Sequence, residues 1–492
     1  DGLATTRNVG ITATGGTVSI NDFGNGTTLG NHYDVAILAA NEVNLGGGVG
    51  SFGKFQHGLQ FLTINTITNS VNFNATSGLS LGGNLSIESS PNVNISSGAT
   101  LETEGDLTIN STDISLGASV TTDSGTLTLN GTASVTDSIV LDSGSGDLTV
   151  TGALLATTNG THDVTINSGG TAKIGGAVGN ATAASDLFFA NLTTDAGGTT
   201  EFNGNIFAAE QVFNDDIVLN QGLSTDLTAG GVNATFNGNV DAESSDIVLD
   251  FTTTAIDGSK WSNLAELTVN ADTGGTIGLS GTITSSGSQT YNGAVQLDGD
   301  TTLDGGFALN LAQGVVGNSK NLVLDFINQP TSLAGNFTGI NDLTSKGDVL
   351  ISGNITTSGN QSYDAGVTLD GETKLDGESL SLNNGVNGGG NDLNIGFNTT
   401  TAINSNWTNI ANFNAQDAVS LTGSFSTTES FFYGPVTLLG DTVLTVGLSV
   451  PGTASLYSNG TIDGSHDLSV TATSPANVQL NKAIGSTAPL RS

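Results

Sequence analysis

The chain has 492 residues, 70 of them Gly and 6 Pro, with no Cys or Met; 11% are charged, and 45 acidic residues against 9 basic leave a net charge of −36. Nine scattered cations form no basic patch, which excludes a nucleic-acid surface built on counterion release and argues against an anionic membrane surface. Without Cys there is no disulfide or thiol chemistry, and no run nears the roughly 20 apolar residues of a membrane helix.

Hydrophobic residues make up 36% of the chain and alternate with small polar ones, so a core is available and the disorder signature is absent. With no initiator Met and no signal peptide ahead of Asp1, the chain reads as a mature or excised segment, with secretion its expected fate. Residues 1–75 open with Val18-Ser19-Ile20, Val35-Ala36-Ile37-Leu38 and Leu62-Thr63-Ile64, each bounded by Gly or Asn. That pattern predicts short strands closed by turns. The apolar spacing is 2 throughout, and no helix is expected.

Residues 76–170 carry a short period. Gly83-Asn84-Leu85-Ser86-Ile87, Gly105-Asp106-Leu107-Thr108-Ile109, Gly125-Thr126-Leu127-Thr128-Leu129 and Gly146-Asp147-Leu148-Thr149-Val150 share one pattern, with His162-Asp163-Val164-Thr165-Ile166 as a weaker fifth. The leading apolar residues at 85, 107, 127, 148 and 164 step by 22, 20, 21 and 16. One full coil of a β-solenoid fits such steps, each strand stacking on its counterpart about 4.8 Å away. Gly is expected at corners that need positive backbone angles. Pro is rare because the next coil wants nearly every N–H.

Residues 171–492 repeat at a longer distance. "ITSSGSQTYNGAVQLDGDTTLDG" from Ile283 returns as "ITTSGNQSYDAGVTLDGETKLDG" from Ile355, an offset of 72 residues. A ladder of Phe213, Tyr291, Tyr363 and Tyr433 marks the units, with companion columns Phe251, Phe326, Phe397 and Trp261, Phe337, Trp407. The simplest expectation is a unit of three or four coils, making the three segments one rod with coils of about 20–24 residues. A junction motif, Val49-Gly50-Ser51, Val178-Gly179-Asn180 and Ile484-Gly485-Ser486, predicts that the chain stops inside a unit. Ends without caps invite end-to-end or lateral self-association.

The coils and junctions resemble the β-helical stalks of filamentous-haemagglutinin-like and autotransporter-type exoproteins. They resemble still more the giant β-strand-repeat surface proteins of bacteria. The resemblance spans essentially the whole chain and implies a right-handed parallel β-helix, exported to a Gram-negative cell surface. There it would serve adhesion, a surface layer or a biofilm matrix, with glycans or other cell surfaces as partners.

Three kinds of chemistry compete with that structural role. Parallel β-helices also host polysaccharide-active enzymes, and an inverting glycoside hydrolase needs carboxylates about 6.5–9.5 Å apart. Asp215-Asp216 is the adjacent acidic pair, but it falls where the sister repeat has Gly293-Ala294, so a corner role is expected and no catalysis. Calcium is the one candidate cofactor, none being required. Asp298, Asp300 and Asp304, then Asp370, Glu372 and Asp376, and Asp441 place carboxylates at repeated turns, where adjacent coils could supply the oxygens a hard cation needs. Solvated turns are the simpler expectation. Trp261, Trp407 and the tyrosines could form a glycan-binding stripe, but periodic aromatics in a solenoid are expected to fill the core.

Overall fold

The computed structural model describes residues 5–20, 31–45, 59–66, 69–74, 78–182, 185–220, 225–271, 274–311, 313–403, 406–447, 455–473 and 476–491. Among them every regular element is a strand and there is no helix. The strands pair in parallel with strands one coil away, making a β-solenoid with three strand-bearing faces per coil. The chain divides into two compact units, Asp1–Thr252 and Thr253–Ser492.

In the first unit the short period is the coil. Leu85 lies in register with Leu107, Leu107 with Leu127 and Leu127 with Leu148. The weaker fifth member does not belong to that column. Val164 pairs with Ile139 on another face, and the residue over Leu148 is Ala172. The anomalous step of 16 therefore compared two faces, not two coils. From Ala172 the next register partner is Thr200, a long coil because it carries a hairpin. Its antiparallel strands Asn180–Thr182 and Ser185–Leu187 follow the junction at Val178. The junction Ile484 likewise bridges to Ile462, whereas Val49-Gly50-Ser51 lies outside the described residues.

Glycine serves the corners in two ways. Gly131, Gly281 and Gly353 do have positive φ, at 149°, 72° and 105°. The column Gly105, Gly125, Gly146 does not, contrary to the expectation that corners need such angles. A Cβ at Gly125 or Gly146 would run into the backbone of the preceding coil's glycine, and one at Gly105 into the Asn84 side-chain oxygen. Close approach excludes a side chain at those positions.

The second unit corrects the reading of the long period. Tyr291 is in register with Leu311, then Leu333, then Ile351. Tyr363 sits in the same coil as Ile351 but two faces further on, in the column of Ser345 and Leu382. The 72-residue offset is thus about three and two-thirds coils. Equivalent residues are not stacked; each repeat turns its pattern onto a different face.

One local device makes this possible. At Gly281, Gly353 and Gly423 the strand bends and the register shifts. Thr301, Thr373 and Thr442 stack on these glycines from the following coil, with their side chains buried. Their hydroxyls donate to the carbonyls of Leu279, Ile351 and Leu421 at 3.1, 3.2 and 3.3 Å. A buried carbonyl that a bend has taken out of the ladder is thereby satisfied.

Candidate functional site

The aromatic columns are core. Tyr291, Tyr363, Phe251, Phe326, Phe397, Phe337, Trp261 and Trp407 are all buried. In the first unit Phe213 stacks on Phe236 with centroids 5.4 Å apart and meets Phe202 edge-on at 5.7 Å. The fourth ladder residue was misplaced by one position. Phe432 fills the core, bonded in register to Ala415 and Ser458, while Tyr433 is 44% exposed. The cause is a deletion: Gly423 to Val436 is one residue shorter than Gly353 to Val367.

Beside two of the core tyrosines lies a polar pair that periodicity of apolar residues does not reveal. Gln289 is buried, its amide donating to the carbonyls of Ile283 and Asp304 at 3.0 and 2.9 Å, and its oxygen accepts the Tyr291 hydroxyl at 3.0 Å. Gln361 repeats this with Ile355, Asp376 and Tyr363. Burial pushes both phenols above their usual range. The tyrosine hydroxyls therefore have a structural use. Gln211 occupies the same place before Phe213 in the first unit, and its Oε1 is buried without a partner because Phe213 has no hydroxyl to offer.

Asp215 sits at the corner the repeat alignment gives it, but its side chain points inward rather than into solvent. It is 4% exposed. Its carboxylate accepts from the Thr194 hydroxyl and, at 2.5 Å, from the Thr200 hydroxyl. Burial raises its pKa, with Asp195 adding repulsion, and the two threonines hold the shift back. Asp216, next to it, is exposed and accepts the Asn239 N–H at 2.8 Å. The two carboxylates thus have different environments, one a buried acid whose oxygens are engaged by threonines and the other an exposed acid that caps a backbone amide.

Of the seven carboxylates considered for calcium, Asp298, Asp300, Asp304, Asp376 and Asp441 have hydrogen-bond or ion-pair partners. Asp300 accepts the Asn321 N–H at 2.9 Å and Asp441 the Asp467 N–H at 3.1 Å, each from the next coil. Asp298 takes a long bond from Gln296, and Asp370 and Glu372 are exposed. Lys374 pairs with Asp376 at 2.5 Å. Arg491 holds Asp441 and Asp467 together at 3.0 and 3.2 Å. Asp304 stacks in register under Asp325, which pairs with Lys346; Asp325, Asp304 and Asp364 together raise the Lys346 pKa. Among the described residues no three His, Asp or Glu side chains gather in a metal-holding arrangement. The chain matches no family model, no curated protein and no solved structure in the comparisons made with each.

The coil faces are built of side chains that bond from coil to coil. Asn44, Asn72 and Asn94 form an amide ladder at 2.8 and 2.7 Å. Asn110 with Asn130, and Asn394 with Asn414, do the same at 2.6 and 2.8 Å. Where corners interrupt the backbone ladder, Asp or Asn accepts the freed N–H: Asn84 from Asp106, Asp106 from Thr126, and Asp147 from Thr171. Nine basic residues can pair with only a minority of the 45 acidic ones, and among the described residues carboxylates find another use. Many of its carboxylates are acceptors for corner amides.

Proposed function

We propose that this chain is a non-catalytic structural solenoid of a secreted or bacterial cell-surface protein, either the stalk of an adhesin or the protomer of a surface or matrix filament. What supports this reading is the use of the outward polar side chains. Among the described residues Asn side chains form amide ladders between coils, and Asp side chains accept corner N–H groups of the next coil. Side-chain ladders of this kind reward repetition, as in other stacked β structures, and they reward length more than any single site. Among the described residues no helix is long and apolar enough to cross a membrane.

Immunogold labelling of intact cells with antibody to this chain tests the assignment. Label on surface-attached fibres is the expected result, and label confined to the cell interior would overturn it. Incubation with neutral and acidic polysaccharides tests the absence of catalysis. Release of reducing ends that is lost in Asp215→Asn would establish a hydrolase instead.

A further inference from the structure

Phe431, Tyr433 and Tyr457 form an outward-facing aromatic patch within the second unit. Phe431 lies in register beneath Tyr457, one coil on, with ring centroids 6.2 Å apart. Tyr433 approaches the same Tyr457 ring at 6.1 Å. Phe432 between them supplies the core side chain, so these three rings are additional to what the coil needs. The sister repeats show what the coil does need: Thr290 and Asn292, or Ser362 and Asp364, stand where Phe431 and Tyr433 stand here. An ordinary polar row turns aromatic at this one stretch, at the cost of exposing apolar area.

Amides flank the rings along their columns, and Glu429 stands two residues before Phe431 in the same strand. Asn414, which donates one N–H to Asn394 at 2.8 Å, precedes Phe431 in the column, and Gln479, which donates one to Asn481 at 3.1 Å, follows Tyr457. Asn459, whose N–H bonds the Phe432 carbonyl at 2.8 Å, lies one coil beyond Tyr433. A primary amide both donates and accepts, and it carries no charge. Ring faces framed by such groups match a pyranose sugar, which has an apolar C–H face and a rim of hydroxyls; the negative face of an aromatic ring attracts the polarised C–H bonds.

We propose that this patch binds a neutral polysaccharide, an uncharged chain of hexopyranose units, with sugar rings stacked on Tyr457 and its two neighbours. An acidic polysaccharide is disfavoured because the chain's net charge is −36. A second copy of this chain is a poorer occupant: it brings the same negative charge, and three rings inside a polar frame fall short of the roughly 800 Å² per partner of a stable protein interface.

Affinity electrophoresis of the whole chain decides it, through gels containing hydroxyethylcellulose, laminarin, galactomannan or polygalacturonate. The double variant Phe431→Thr/Tyr433→Asn restores the residues of a sister repeat and is expected to keep the strand circular dichroism of the parent; Tyr457→Ala removes the shared ring. The expected result is retardation by at least one neutral polymer, weakened at least about tenfold in both variants, and none by polygalacturonate. No retardation by any neutral polymer, or equal retardation of parent and variants, overturns the proposal. So does sedimentation showing self-association of the parent that the double variant abolishes without any glycan binding. The immunogold assignment is independent of every one of these outcomes.

Discussion

Gln211 and Phe213 show how much one hydroxyl matters in a solenoid core. In the sister repeats the glutamine oxygen at this place accepts a tyrosine hydroxyl, at 3.0 Å in one and 3.1 Å in the other. With Phe213 the same oxygen is buried and unpaired. Phe213→Tyr should therefore raise stability by about 0.5–1.5 kcal/mol, the usual worth of a hydrogen bond that satisfies a buried group, read as an increase in urea midpoint. Asp215 gives a prediction with a pH sign. Its folded pKa is raised, mainly by burial, so the folded state binds its proton more tightly than the unfolded state. The resulting penalty is full above the raised pKa and is relieved as pH falls from there towards the unfolded value of about 3.9. Asp215→Asn should accordingly raise Tm at pH 7, because the Thr194 hydroxyl still finds an acceptor and Thr200 can accept from the new amide. The gain should shrink as the melt is repeated towards pH 4; a gain that is unchanged with pH would refute the account.

At the level of the coil, the sequence was most legible where an inward side chain must recur one coil later. Leu85, Leu107, Leu127 and Leu148 recur at coil length and are stacked as their spacing predicts. Legibility failed where similarity records something other than geometry. The block at Ile283 and its copy at Ile355 share residues because their bends, threonines and Gln-Tyr pairs are alike, yet coil length alone decides which face each occupies. The Gly-bend and its threonine work equally at all three corners, so the block can be copied without being a whole number of coils. Tyr433 falls out of phase for a related reason: a one-residue deletion shifts the inward phase, and the sequence keeps an aromatic at both Phe432 and Tyr433. Two substitutions probe the corners directly. Thr373→Val leaves the Ile351 and Gly371 carbonyls without their hydroxyl donor and should cost about 1–3 kcal/mol. Gly125→Ala pushes a methyl group into the Gly105 backbone and should cost a similar ~1–3 kcal/mol. Both are measurable by urea denaturation, and the second should not be rescued by a residue tolerant of positive φ such as Asn, since φ is not the constraint.

For the molecule as a whole, the charge balance sets the response to solution conditions. With forty-five acidic residues against nine basic ones, the carboxylates repel one another in the folded state, and the repulsion is screened by salt. Raising NaCl from low to physiological strength should therefore increase Tm rather than decrease it, as it would if surface ion pairs dominated. Acidification works in two opposing directions. Repulsion weakens as carboxylates are protonated, and the Asp215 penalty is relieved. Against this, Asp137 and Asp463 have folded pKa values below normal, Asp137 chiefly through the Ser97 hydroxyl and Asp463 chiefly through the Thr487 N–H. A depressed carboxylate contributes fully above the unfolded value of about 3.9, and its contribution is lost as pH falls through the folded value. Melting temperature should therefore rise from pH 8 towards pH 5 and fall again below about pH 4. Calcium enters the same balance. If the acidic turns act as acceptors for corner amides, millimolar EDTA should leave Tm unchanged at physiological salt, and added calcium should do no more than magnesium at equal ionic strength. A calcium-specific stabilisation of the size that mass action gives for a tight site, about 2.7 kcal/mol at a hundredfold excess over Kd, would show instead that the chain holds the cation.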